Sequence, residues 1–383
     1  MRGRDAVYFA FFTIIAWIVC ADLLLGRAYM LDFQSFYGAA EAVKRDLDPY
    51  DAHVIDAIAR ESDLRGPIYP YLYSPFVAYG MSWLADVRHD LAQTLWSYMS
   101  IVAYGLSSMF AMRCAVTKQA AGWLVVITAL LAFALPLRGN INIGQINALV
   151  LALICAALWL AHSDRPFSAG FTLAFAVVIK IMPLVLALPW LLERRLRALV
   201  GLAAGLVAAF LITLPFGGAG AWLEFARRLP TMSHGSTIPG LFPAKTHWSF
   251  SLASFYARLF DSPSAVRIAS IATIIALVAG IAFVARRKST EHVLLPLSVV
   301  MIVASPLAYT HHVIYLLPGL LLALHLALRD ERRVLAGALL VLGALASTEF
   351  PNVYTSGWPT LALSLNLYAL LALYGIGVWS MSK

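Results

Sequence analysis

The chain has 383 residues, of which 61% are hydrophobic and only 13% charged, with 28 Lys and Arg against 20 Asp and Glu. Soluble domains carry about 25% charged residues, so this composition, at a mean hydropathy of +0.79, excludes a soluble enzyme and predicts an all-α polytopic membrane protein. The net charge of +8 is no nucleic-acid footprint, because the basic residues sit in short clusters between apolar runs, as a topology signal does.

The first apolar run, residues 6–26, is long enough to cross a bilayer. It is longer than a signal-peptide core and no small-residue cleavage site follows, so it reads as a retained span. Further spans are predicted at 69–85, 91–112, 120–137, 144–161, 167–191, 197–216, 265–285, 292–308, 312–328, 333–348 and 359–380, about twelve in all. Pro70 and Pro75 interrupt the second. Cys20, Cys114 and Cys155 lie in or beside apolar runs and read as small core residues. Nothing in their spacing predicts a disulfide framework or a metal site, and there is no internal repeat.

The basic residues orient the bundle. With Arg2 and Arg4 in the cytoplasm, Arg194, Arg195, Arg197, Arg286, Arg287, Lys288, Arg329, Arg332, Arg333 and Lys383 follow on the same side. Arg113, Lys118 and Arg165 fall on the other. Both long loops, 27–68 and 217–264, are then extracytoplasmic, and each is too short for a domain of its own. Residues 1–383 read as one domain.

In the first loop Asp32 is the first acid after the first span. Phe33, Phe36, Tyr37, Ala40 and Val43 follow at helical spacing, with Gln34, Glu41 and Arg45 on the other side, predicting an amphipathic helix along the interface. Asp32 either caps this helix or stands as a carboxylate where lipid ends, suited to chemistry on a lipid-linked substrate. Asp46, Asp48, Asp51, Asp56, Glu61 and Asp63 read as a solvated face. The prolines and tyrosines of residues 66–75 form an aromatic belt or line a sugar site.

Four further features carry polar chemistry. Gly144-Gln145-Ile146-Asn147 opens the fifth predicted span; amides at i and i+2 do not share a helix face, and they cap the helix or join it to its neighbours. Lys180 falls near the middle of the sixth, where a lysine costs roughly 3 kcal/mol unless paired or hydrated, which points to ion pairing or function. Ser305-Pro306-Leu307-Ala308-Tyr309-Thr310-His311-His312 joins the ninth and tenth. Adjacent histidines rarely give one metal two ligands from a helix, so phosphate binding or hydrogen bonding suits them better. Arg227, Arg228, His234, Lys245 and His247 in the second long loop either attract anionic headgroups or contact substrate.

Together these features resemble the bacterial polyprenol-phosphate-mannose-dependent α-mannosyltransferases, the family of the mycobacterial phosphatidylinositol-mannoside mannosyltransferase, within the glycosyltransferase-C superfamily. The resemblance rests on Asp32-Phe33-x-x-Phe36-Tyr37-x-Ala39-Ala40, Pro49-Tyr50-Asp51, Tyr73-Ser74-Pro75, Gly144-Gln145-x-Asn147, Lys180-x-x-Pro183 and Ser305-Pro306 with His311-His312, in that order. One stretch departs: where similar proteins carry Asn-Gln-Ser-Leu, this chain has Ser249-Phe250-Ser251-Leu252.

The resemblance implies a glycosyltransferase-C-type bundle in a bacterial plasma membrane that moves mannose from a polyprenyl-phosphate donor to a hydroxyl of a lipid or glycan acceptor, with inversion. Its partners would be that donor, the acceptor and membrane lipids, with no nucleic acid. The attacking hydroxyl must lose a proton, so one carboxylate base is required, and Asp32 is the candidate. A lipid phosphate, with a second pKa of about 6, leaves as an anion without a general acid but requires donors or positive charge nearby. His311, His312 and Lys180 are the candidates, with Arg65 and Lys245 behind them. Tyr37, Tyr73, Gln145 and Asn147 complete the expected substrate-binding set, and neither a metal nor another cofactor is expected. Glucose or a pentose in place of mannose, a lipid-linked ligase, and a transporter of lipid-linked substrate are the rival readings.

Overall fold

The computed structural model describes residues 29–62, 64, 68–115, 134–238, 240–241, 243–246, 248–285, 290–349 and 364–382. The predicted first span with Cys20, most of the fourth, Asp63, Arg65, His247, Lys118, Lys383 and the basic residues 2, 4 and 286–288 lie outside them.

Among the described residues all regular structure is helical. The order is α1 Leu31–Lys44, α2 Ala52–Glu61, α3 Pro75–Met81, α4 His89–Ala115, α5 Ala134–Asn142, α6 Asn147–His162, α7 Pro166–Ile179, α8 Leu188–Leu192, α9 Leu196–Arg228, α10 Leu252–Ala257, α11 Pro263–Ala285, α12 Thr290–Val303, α13 Leu317–Arg329, α14 Arg333–Ser347 and α15 Leu365–Ser382, with 3-10 turns between some of them. Three stretches are long and apolar enough to cross a membrane: Leu196–Met232, Pro263–Ala285 and Thr310–Arg329. With this apolar character, the chain is a membrane protein.

Several predicted spans are corrected. The second becomes the seven-residue α3 followed by a 3-10 turn to Asp86, too short to cross. Helix α9 runs on past the predicted end at 216 through a non-helical Gly218 (φ 61°), so the second long loop begins as helix. The predicted span 167–191 is two half-length pieces. Helix α7 ends at Ile179, Lys180 is extended (φ −141°, ψ 131°), and the chain turns back through Met182–Ala187 and α8.

Packing shows which end each piece reaches. A methyl group on Gly170 would collide with the Ala198 carbonyl, one on Gly201 with that of Phe167, and one on Gly205 would sit 2.5 Å from Ala174 Cβ. This close crossing of small residues is a membrane-helix contact, and it sets α7 and α9 side by side. At their other ends Ser74 Oγ donates to Val178 O at 2.7 Å, Phe76 meets Phe175, and Tyr79 stacks on Phe216. The two helices are therefore parallel, and Lys180 emerges beside α3 at the end that holds α1. Arg165 shares the far end with Arg194 and Arg197, not the near end that the predicted alternation assigns it.

Helix α6 runs beside α4 in the same direction: Trp96 Nε1 donates to Gly144 O at 2.9 Å, and Phe110 packs on Trp159 at 5.5 Å. Strict alternation of twelve spans carries Gln145 to the end opposite Asp32, but the chain brings both to one end. The 142–145 turn is held there by Met30 N–H to Asn142 O and Asp32 N–H to Ile143 O, both 2.8 Å, and by Asn140 Nδ2 to Gln145 O at 3.1 Å. Gly144 sits at φ +73°, where a Cβ would be 2.5 Å from Phe33 Cβ. Left-handed backbone and lack of space both demand glycine. Gly144→Ala is expected to destabilise by about 1–3 kcal/mol, read as a lower melting temperature with reduced activity; unchanged melting would show that this turn yields freely.

Helix α1 differs from the interfacial expectation. Phe33, Phe36, Ala39 and Ala40 are buried as predicted, but Gln34 and Ser35 are buried too, and Ser35 Oγ donates to Tyr69 O at 2.6 Å. The helix is enclosed by protein over most of its surface. Asp51 caps α2 by accepting from His53 N–H at 2.8 Å, and the exposed Glu61 pairs with Arg45 at 2.5 Å, as fits a solvated acidic strip.

Candidate active site

The site starts at the first turn of α1. Its N-cap is Met30, in the left-handed conformation (φ 50°), with no side-chain cap bond. Asp32 is therefore a first-turn residue, and the capping explanation for it fails. Its carboxylate Oδ2 accepts from Gln145 Nε2 at 2.7 Å. Burial pushes its pKa up to about 6 from 3.8, against the opposing pull of the Gln145 hydrogen bond and the Lys180 charge.

Gln145 is the hub. Its Oε1 accepts from Tyr73 OH at 3.0 Å and from Lys180 Nζ at 3.3 Å. Two donors at the oxygen set the amide orientation and leave Nε2 to serve Asp32. Gln145 is outside the helix and Asn147 is the first residue of α6, so the i, i+2 restriction does not apply. Lys180 Nζ reaches Asn147 Oδ1 at 2.5 Å and stands 3.3 Å from His312 Nε2 and 5.5 Å from the centre of the Tyr73 ring. The break after α7 explains how a lysine in an apolar run finds so many polar neighbours: unwound backbone is tolerated in a membrane where it lines a polar cavity.

Tyr309 N–H donates to His312 Nδ1 at 3.0 Å, which places the ring proton on Nε2, the nitrogen facing Lys180. Tyr315, three residues on, donates to Asn147 Oδ1 at 2.7 Å. With that oxygen taken by two donors, Asn147 Nδ2 is buried and has no partner among the described residues; nor has His311 Nε2. Buried polar groups without partners are rare, and the Asn147 Nδ2–H groups are donors. Beside a lysine and an imidazole N–H, they describe a site able to receive an anion.

The departing stretch is structural. Ser249 Oγ accepts from Ala308 N–H at 3.1 Å, Phe250 N–H donates to Ala308 O at 2.9 Å, and Ser251 Oγ donates to Pro306 O at 2.9 Å. Arg258 in turn donates to the carbonyls of Ser249 and Thr246. Ser249–Leu252 thus clamps the 305–308 loop that leads into the histidines.

Of the predicted residues, Asp32, Tyr73, Gln145, Asn147 and Lys180 form one bonded network. His312 stands against it with Nε2 3.3 Å from Lys180 Nζ, and the His311 ring lies tilted against that of His312, centres 4.4 Å apart. Tyr37 does not join. Five helical positions after Asp32 it points about 140° away, donating to Val87 O at 3.2 Å and packing on His89. Lys245 is exposed and makes no bond to the network among the described residues. Arg65 lies outside them. Tyr309 and Tyr315 were missed; the only signal was their place three residues to either side of His312 in a helical stretch.

Residues 71–310 match glycosyltransferase family 87. The chain is 27% identical over 359 residues to the polyprenol-phosphate-mannose-dependent alpha-(1-2)-phosphatidylinositol pentamannoside mannosyltransferase of Mycolicibacterium smegmatis, spanning 91% of this chain and 84% of that protein. It is 25% identical to the protein of that name from Mycobacterium tuberculosis, over 81% and 75% of the two chains. A phosphatidylinositol mannoside mannosyltransferase of M. smegmatis is 26% identical over 68% of this chain and 63% of its own. The family match takes in Tyr73, Gln145, Asn147 and Lys180 and stops at Thr310, beside the histidines. A match over more than half of the chain, on a bundle of apolar helices, makes this a membrane enzyme: the chain belongs to glycosyltransferase family 87.

Proposed function

We propose that the protein transfers mannose from a polyprenyl-phosphate donor to a hydroxyl of a glycolipid or glycan acceptor, with inversion and with Asp32 as general base. The observation that carries this reading is the single network joining Asp32, through Gln145, to Lys180 and Asn147, with the His312 Nε2–H beside the ammonium. Base and anion site lie on opposite sides of one amide. The acceptor hydroxyl gives its proton to Asp32 as its oxygen attacks the anomeric carbon, and the bond to the lipid phosphate breaks on the opposite face. The departing phosphate keeps the bonding electrons; the Lys180 ammonium balances its charge and the neutral His312 Nε2–H donates a hydrogen bond to it. Among the described residues no donor is bonded to Asp32 Oδ1, which is the oxygen left to receive the proton. The relatives' names support mannose and the polyprenyl phosphate. The gathering of Arg165, Arg194, Arg197, Arg329 and Arg332 at the far end supports an extracytoplasmic site by the positive-inside rule, in a bacterial plasma membrane.

The test is purified protein offered polyprenyl-phosphate mannose, glucose and a pentose in turn, with donor consumption read by mass spectrometry. Mannose turnover is expected. A preference for another sugar replaces mannose in this reading. An intact donor under all conditions overturns the proposed reaction, and the discontinuous helix at Lys180 is the one feature that favours transport of a lipid-linked substrate.

His312→Ala is expected to lower turnover tenfold to a thousandfold, the range for loss of one electrostatic contact. Full turnover in both His311→Ala and His312→Ala would remove the pair from the phosphate site.

A further inference from the structure

A cavity lies at the end of the bundle opposite the Asp32 site. It measures about 240 Å³ and runs between α12, α13, α14 and α15, from Gly319 to Arg329 along α13. Ten residues of helix give it a length of about 15 Å. From His312 to Arg329 the chain climbs roughly 25–30 Å, close to the thickness of the hydrocarbon core, so this cavity opens at the opposite membrane surface from Asp32.

Its origin is local. Helices α12 and α15 are pressed together where a Cβ on Gly377 would be 2.8 Å from Pro296 Cδ. Beside this contact the facing positions of α13 are Ala323 and Ala327, too short to fill the gap, and Leu326, Leu339 and Ile376 complete an apolar wall. The mouth is polar and mainly cationic. Arg329 and Arg332 stand on the tight turn between α13 and α14, closed by Asp330 N–H to Leu326 O at 3.0 Å and Arg332 N–H to Ala327 O at 2.8 Å. Asp330 also lines the mouth and is paired with Arg329 Nε at 3.1 Å. Among the described residues Arg332 has no acidic partner, and the lining carries two arginines against one aspartate, with Glu331 of the same turn outside it.

We propose that this cavity binds an anionic phospholipid of the leaflet opposite Asp32, its phosphate on Arg332 and the terminal nitrogens of Arg329 and the start of an acyl chain against Ala323, Leu326 and Ile376. Charge complementarity selects the occupant: basic pockets between membrane helices at this surface suit anionic headgroups, and the apolar wall behind the arginines requires a ligand with a tail. The site is independent of sugar transfer and does not rest on the reaction proposed above.

The experiment is native mass spectrometry of the full chain released from a neutral detergent, titrated with phosphatidylglycerol, with phosphatidylcholine of the same chains, or with inorganic phosphate. Selective retention of phosphatidylglycerol is expected. The double variant Arg329→Gln, Arg332→Gln should weaken it about twentyfold to thirtyfold, each basic residue near an anionic surface contributing about fivefold. Ala323→Phe, which fills the cavity and keeps both arginines, should weaken it as well. Both arginines are exposed, so their replacement tests the proposal even where Ala323→Phe fails to fold. Unchanged retention in the arginine variant overturns the site. Loss there with full retention in folded Ala323→Phe reduces it to diffuse surface attraction, and equal competition by inorganic phosphate overturns a lipid occupant.

Discussion

Asp32→Asn is expected to abolish nearly all sugar transfer and, at neutral pH, to raise the melting temperature. The amide preserves size and can still accept from Gln145 Nε2, but it cannot take a proton from the acceptor. General-base catalysis contributes about 10²–10⁴-fold, and the loss should be at least this. The stability effect follows from the same burial. The carboxyl rises from 3.8 to about 6 on folding, so the folded protein binds this proton more tightly than the unfolded chain. That stabilisation is complete below about pH 4 and is lost as pH rises through 6; at pH 7 the buried charge costs about 3 kcal/mol. Asparagine removes that charge. The variant should therefore melt higher than the parent at pH 7 and alike at pH 4, whereas transfer by the parent should climb as pH passes through about 6 and Asp32 ionises. Purified Asp32→Asn with near-normal transfer would end the assignment of Asp32 as the base. A variant that melts lower at pH 7 would show that the carboxylate holds the fold together.

Lys180→Met should lower turnover by about 10²–10³-fold, the effect of removing a charge-stabilising contact, and should weaken donor binding because the same ammonium faces the phosphate in the ground state. The fold should persist. Tyr315 still donates to Asn147 Oδ1 and Tyr73 to Gln145 Oε1, so neither amide oxygen is left bare. Lys180→Arg should not restore activity. Nζ stands within 3.3 Å of Gln145, Asn147 and His312, and a planar guanidinium does not fit where a compact ammonium meets three neighbours. Donor affinity and single-turnover transfer, measured on protein with a normal melting profile, separate the two effects. More than a tenth of parental turnover in Lys180→Met would take this lysine out of phosphate binding and make it an internal tie between α6 and the end of α7.

Composition and hydropathy were sufficient for the class of protein, because an apolar run of bilayer length has few other uses. Residue type was sufficient for most of the candidate site. Asp32, Lys180, Gln145 and Asn147 stood out because polar groups in apolar surroundings carry a penalty unless they are partnered. What the sequence could not decide was where those groups lie. Hydropathy reads residues 167–191 the same way whether they form one span or two half-length pieces meeting at Lys180, so depth and direction were wrong there. It also reads 69–85 as a crossing that α3 is too short to make, so the ends assigned to Gln145 and Arg165 were wrong as well. Tyr37 shares a motif with Asp32, yet α1 turns it toward His89. The bonds that make the site join residues 113 apart, Asp32 with Gln145, and 168 apart, Asn147 with Tyr315. No local pattern encodes such pairs. They exist because glycines let α7 and α9 cross closely, because Gly144 lets the 142–145 turn lie against Phe33, and because the serine clamp holds the loop before His312. Tertiary packing alone turned a scatter of polar residues into one connected network.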